Sequence, residues 1–273
     1  MKKKDLPYRD LAELAQRSFL PPFTPMIRSE NWHEPHSLIS YKANTYGFRA
    51  AEFTDAETVV LGCSTTFGIG LPLDRTWPFK LKEQLGVTNI MAIPGGSIPQ
   101  IVDVGTQIMS RFKAPKRVLF LTPNLERLHV SFSPNVDIQA TFNWDYNIDE
   151  FISMRRKKIE VLKIESHDGQ FRSVPLEFAV SESYKSLVRL SSLCKLIGAD
   201  FHYFSWVDAV NDKLKSSGIP GFIDGESVEP SGPCHEGGRG SEFWDYAIDY
   251  SRHPGEHHHE HYSKRFELIL GSG

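Results

Sequence analysis

From Thr58 onward the chain alternates short apolar, β-branched runs with longer stretches of helical spacing, and this rhythm constrains the fold most. Thr58-Val59-Val60-Leu61-Gly62 is apolar at successive positions rather than alternate ones and stops at Gly, the pattern of a strand buried on both faces. Residues 89–93 repeat it and end at Pro94-Gly95-Gly96; residues 117–121 do so again and stop before Pro123; residues 200–206 make a fourth run. Between them, residues 78–85 have helical spacing (Phe79, Leu81, Leu85), and residues 98–112 place Ile101, Val104, Ile108 and Phe112 on one face. Residues 181–196 form a further helix. Short strands alternating with helices predict βαβ units, hence a three-layer α/β/α fold around a mainly parallel sheet.

The rest of the chain hangs on that frame. Residues 1–50 carry a short amphipathic run and then Pro21, Pro22 and Pro25, and are expected to form an arm packed on the domain. Residues 51–273 are expected to form one domain. Residues 128–180 are expected to be an insertion carrying a helix around 148–161. Residues 217–240, rich in Gly, Pro, Ser and Glu, are expected to be a long surface loop. Residues 243–270 are expected to be mainly helical.

Charge and cysteine usage narrow the partners. A net charge of −3 provides no basic field for nucleic acid or anionic lipid. Three cysteines, Cys63, Cys194 and Cys234, have no paired spacing, which favours a reducing compartment over a disulfide framework. Lys2, Lys3 and Lys4 are followed by Asp5, Arg9, Asp10 and Glu13 rather than an apolar core, so no signal peptide is expected. No stretch approaches the ~20 apolar residues of a membrane span. A cytoplasmic protein without nucleic-acid or membrane partners is expected.

Four stretches carry candidate chemistry. Gly62-Cys63-Ser64-Thr65-Thr66-Phe67-Gly68 follows the first strand, and the carboxyl ends of parallel strands are where such sheets bind ligands. It lacks the Lys of a phosphate-binding P-loop. Ile93-Pro94-Gly95-Gly96-Ser97 follows the second strand, where Gly95 can turn a backbone N–H toward a developing oxyanion. Locally it is also an ordinary strand-to-helix turn. Thr122-Pro123-Asn124-Leu125-Glu126-Arg127 follows the third; Asn124 can donate its amide to the same oxyanion or simply serve the turn. Arg127 either pairs with a carboxylate or buttresses the loop. Near the other end lies Asp249-Tyr250-Ser251-Arg252-His253-Pro254-Gly255, in which His253 is the candidate base.

Together these stretches resemble the SGNH (GDSL-like) hydrolase superfamily, in an uncharacterised microbial and phage-associated branch. The blocks fall in the family's order, one after each of the first three strands and one near the end. Asn44-x-x-Gly47-Phe48-Arg49 and Asp74-x-Thr76-Trp77-Pro78 look like further marks of that branch. The resemblance covers roughly residues 42–127 and 243–270. It implies a flavodoxin-like sheet and hydrolysis of carboxylic esters, of the esterase, lipase or carbohydrate deacetylase type, on a small-molecule or glycan ester. Ser64 would be the nucleophile, His253 the base and Asp249 the acid that orients it. The oxyanion hole would be the N–H groups of Ser64 and Gly95 with the Asn124 amide; no metal or organic cofactor is implied. Cys63 stands where the family has Asp, and Asp249 lies four residues before His253 rather than three.

Two other readings compete. One is a non-catalytic or acyl-transferring module on the same fold. The other is metal binding by His253, His257 and His261, which recur every four residues, with Glu256, Glu260 and Cys234-His235 nearby.

Overall fold

The computed structural model describes residues 41–133, 136–142, 161–165, 171–225 and 253–270. In chain order its elements are β1 (Thr58–Gly62), α1 (Ser64–Phe67), α2 (Trp77–Lys80), α3 (Lys82–Leu85), β2 (Thr88–Ala92), α4 (Ile98–Met109) and β3 (Arg117–Thr122). There follow β4 (Leu128–Ser133), β5 (Val136–Phe142), β6 (Val161–Glu165), β7 (Phe171–Pro175), α5 (Leu176–Ile197), β8 (Asp200–Ser205), α6 (Asp208–Ser216) and α7 (Glu256–Leu270).

Four strands form a wholly parallel sheet in the order β2-β1-β3-β8. Every residue of β1 is buried, as is β3 after Arg117. Successive side chains of a strand point to opposite faces, so unbroken burial means that both faces are covered. The register shows by what. Leu61 lies beside Phe120, and Phe120 beside Tyr203, so these three share a face. α4 packs there, since a Cβ on its Gly105 would press within 2.8 Å of Leu61. Phe204, one residue on, points to the opposite face, where Phe266 of α7 packs against it at 4.8 Å and stacks on Trp77 at 4.5 Å. Helices therefore lie on both faces of the sheet. That is an α/β fold.

The helices start and stop for local reasons. Ser97 caps α4 by accepting the Gln100 N–H at 3.3 Å, and Pro99 occupies the first turn. α4 ends at Met109, three residues before the apolar spacing does. The helix expected over 78–85 is two single turns, α2 and α3, broken at Leu81. α5 begins five residues before its expected start and packs on α4.

The middle of the chain departs from expectation. β4 pairs with β5 and β6 with β7, making two antiparallel hairpins in the region read as an insertion. Of the helix expected over 148–161, residues 148–160 lie outside the described residues, and Val161 opens β6 instead. Val161 and Ile164 are β-branched, and a strand ten residues on satisfies their backbone. Within the stretch read as a loop, Gly221 and Ile223 bond to Tyr203, each at 2.9 Å, laying an extended segment beside β8. Residues 226–240, including Cys234, lie outside the described residues. Of the N-terminal arm, residues 41–50 are described and pack on the domain, with Phe48 buried and the Tyr41 hydroxyl accepting the Gly70 N–H at 2.7 Å. Among the described residues no helix is long and apolar enough to cross a membrane.

Candidate active site

The parallel register brings three of the four blocks to one edge. Gly62 is level with Ala92 on β2 and with Leu121 on β3, so the segments leaving these strands emerge side by side. The Ile93 N–H donates to the Gly62 carbonyl at 2.9 Å, continuing the ladder one residue past β2. Ser64, Gly95 and Asn124 lie two to three residues beyond their strands on three adjacent strands.

Ser64 is the first residue of α1, a single turn. Gly62 makes that turn possible, because a Cβ there would overlap the Thr66 side chain. The Ser64 side chain is 5% exposed. Its backbone N–H belongs to the first turn of a helix, where no intrahelical acceptor exists, and it donates to no described residue. The Ser64 hydroxyl likewise makes no hydrogen bond to a described side chain. Cys63 is fully buried and free.

Gly95 has φ +74°, a conformation that residues with a Cβ rarely adopt. Its N–H, too, donates to no described residue. Asn124 is 8% exposed, and its side-chain oxygen accepts the Glu126 N–H at 3.4 Å. Arg127 buttresses the loop, as one of its two expected roles required, by donating to the Gly96 carbonyl at 3.3 Å and so tying the third block to the second. Ser183 of α5 donates to the Leu125 carbonyl at 2.8 Å and holds the same loop from behind.

His253 is 7% exposed and lies three residues before α7. That helix is anchored to the segment following Ser64. The Glu256 carboxylate binds Arg75 at 2.9 Å and Lys80 at 3.3 Å. The Trp77 N–H donates to His259 Nδ1 at 3.0 Å, and the Trp77 indole N–H to the Thr66 hydroxyl at 3.3 Å. A chain of buried contacts thus runs from α1 through Trp77 to the helix that His253 precedes. Asp249 lies outside the described residues, as does Asp245. Asp224 pairs with Lys215 at 2.7 Å beside the far strand β8.

Among the described residues no group of three His, Cys, Asp or Glu side chains converges, and His257 is exposed whereas His253 and His261 are buried. His259, outside the four-residue set, accepts the Trp77 N–H instead.

Arg49 is a residue whose role the sequence did not reveal. Its buried guanidinium donates to the carbonyls of Phe67, Gly68 and Leu71 at 2.9, 2.7 and 2.8 Å. It lies 4.5 Å from the Tyr41 ring centre. Burial pushes it down to about 10, still charged at neutral pH, with the Tyr41 and Asp74 charges opposing the shift. The turn that aims it is made by Asn44, whose side-chain oxygen accepts the N–H groups of Tyr46 and Phe48, both at 3.0 Å. The Asn-x-x-Gly-Phe-Arg motif is thus a clamp on the segment leaving α1. A scan against models of known protein families finds no match for this chain, and a comparison with curated proteins finds none either.

Proposed function

We propose that the protein is an ester hydrolase of the SGNH type, on a flavodoxin-like sheet, acting through an acyl-enzyme on Ser64. The observation that carries this reading is the pair of backbone N–H groups, at Ser64 and Gly95, that donate to no described residue and follow adjacent strands, with the Asn124 loop following the next. Backbone donors at adjacent strand ends that bond to no described residue suit an oxyanion, and each such donor is worth about 3 kcal/mol of barrier. His253 takes the Ser64 proton as the hydroxyl attacks an acyl carbonyl. The protonated imidazole then gives that proton to the departing alkoxide, and a water activated in the same way releases the acid. In this reading Asp249 orients the imidazole, the substrate is a small-molecule or glycan ester, and no cofactor takes part.

Turnover of p-nitrophenyl acetate and covalent labelling by a fluorophosphonate test the reading together. Wild type is expected to turn over and to label at Ser64. Ser64→Ala abolishes both, and His253→Ala lowers turnover by at least ~1,000-fold. Equal background rates in wild type and Ser64→Ala reject the hydrolase. They leave the second reading, a non-catalytic or acyl-transferring module, which Cys63 in place of the family's Asp favours.

A further inference from the structure

Trp77 does more in this structure than a core aromatic has to do. Its ring is fully buried and stacks on Phe266 of α7 at 4.5 Å, a contact that a Phe could also make. What a Phe lacks is the indole N–H, and here that group donates to the Thr66 hydroxyl at 3.3 Å. Thr66 is itself buried in α1, the short helix that Ser64 opens. The backbone N–H of Trp77 donates the other way, to His259 Nδ1 in α7 at 3.0 Å. His259 in turn gives its own backbone N–H to the Gly255 carbonyl at 3.2 Å, which fixes the first turn of α7 just beyond His253.

We propose that Trp77 is a positioning residue, which sets α1, and with it the Ser64 side chain, against the segment carrying His253. The inference rests on the hydrolase reading above. Two donors on one rigid, stacked residue hold their two acceptors at a set separation. That separation matters because a proton passes from a hydroxyl to an imidazole only within about 2.6–3.2 Å, and a misplacement of about 1 Å can cost about 100-fold in rate. Glu256 adds a second tie through Arg75 and Lys80. Those ion pairs are partly exposed and constrain geometry weakly, so the buried Trp77 carries the alignment.

The test uses the full chain carrying Ser64→Cys, because a thiol reports a neighbouring imidazole whether or not the natural site turns over. Alkylation by iodoacetamide is followed from about pH 5 to 10, and tandem mass spectrometry separates residue 64 from Cys63. With His253 within reach the introduced thiol is expected to titrate below about 7.5 rather than near 8.5, and adding His253→Ala to return it toward 8.5. Trp77→Phe keeps the stacking ring and the backbone N–H, and is expected to raise the midpoint by about one pH unit. Thr66→Val removes the acceptor without touching the aromatic core and is expected to do the same, whereas Thr66→Ser keeps the hydroxyl and leaves the midpoint in place. Tyr203→Phe deletes a buried hydrogen bond from β8, two strands from β1, to the Ile219 carbonyl; it lowers stability but is expected not to move the midpoint. A thiol indifferent to His253→Ala overturns the hydrolase reading and the positioning role with it. A thiol that responds to His253→Ala but keeps its midpoint in either Trp77→Phe or Thr66→Val overturns the positioning role alone, as does an equal shift in Tyr203→Phe.

Discussion

Replacing Arg49 by Ala is expected to lower stability by about 3 kcal/mol and to slow the labelling of Ser64. The magnitude follows from two opposed effects at one buried group. The guanidinium donates to three carbonyls at 2.7–2.9 Å, and a hydrogen bond from a charged donor contributes about 1.5–3 kcal/mol. Against this stands the burial of the charge, which lowers the group from 12.5 to about 10. At roughly 1.4 kcal/mol per pH unit that costs about 3 kcal/mol. A net contribution of about 1–5 kcal/mol remains, and truncation also leaves three carbonyls without their donor. Urea unfolding followed by tryptophan fluorescence measures the loss as a midpoint lowered by about 1 M or more at unchanged slope. Arg49→Lys, with a single nitrogen in place of a planar fork, is expected to fall between wild type and Ala. Fluorophosphonate labelling of the still-folded Lys variant reports whether the segment leaving α1 also sets the reactivity of Ser64, and is expected to slow several-fold. A midpoint within about 0.2 M of wild type for Arg49→Ala would refute the reasoning.

Other outcomes follow from the same geometry. Gly62→Ala places a Cβ into the Thr66 side chain and is expected to cost about 1–3 kcal/mol in calorimetric stability; an unchanged melting temperature contradicts the tight turn. His259→Phe removes the acceptor of the buried Trp77 N–H and is expected to destabilise by about 1–3 kcal/mol, whereas His257→Phe, on the exposed side, changes little. His202 is held below 6.5, chiefly by burial and further by Arg117, with Asp200 opposing. The unfolded chain therefore takes up this proton first, so its share of stability is intact above pH 6.5 and is lost as pH falls below it; His202→Gln should flatten that limb in unfolding series run from pH 7.5 to 5. Burial pushes the Cys194 thiol up to about 12, so alkylation of Cys194 in the native protein should be slow and become fast on adding urea.

The parallel core was legible because its signal is local. Thr58–Gly62 is apolar at every position, and only a strand covered on both sides tolerates that in five residues, so β1, β3 and β8 lie where the apolar runs predict. The turns were legible for a similar reason: Gly62 and Gly95 stand where a side chain would clash or the backbone turns to positive φ. The hairpins between β3 and α5 were not legible. Residues 161–165 mix apolar and charged side chains in a way that suits a helix or a strand, and the choice is made by a partner strand ten residues away. α6 was missed because its buried face rests on Val210 and Leu214 alone.

By itself, the order of residues determined the sheet, its parallel sense and the fact that Ser64, Gly95 and Asn124 follow three of its strands, because burial periodicity and turn chemistry are written in adjacent residues. Only the tertiary structure decided which strands are neighbours, and so that those three loops emerge together. It alone turned Arg49 onto the carbonyls of residues 67–71 and joined Trp77 to His259 across the chain. Each of these is a relation between side chains far apart in sequence, where distance, desolvation and charge balance are properties of the packed molecule and have no counterpart in any local run of residues.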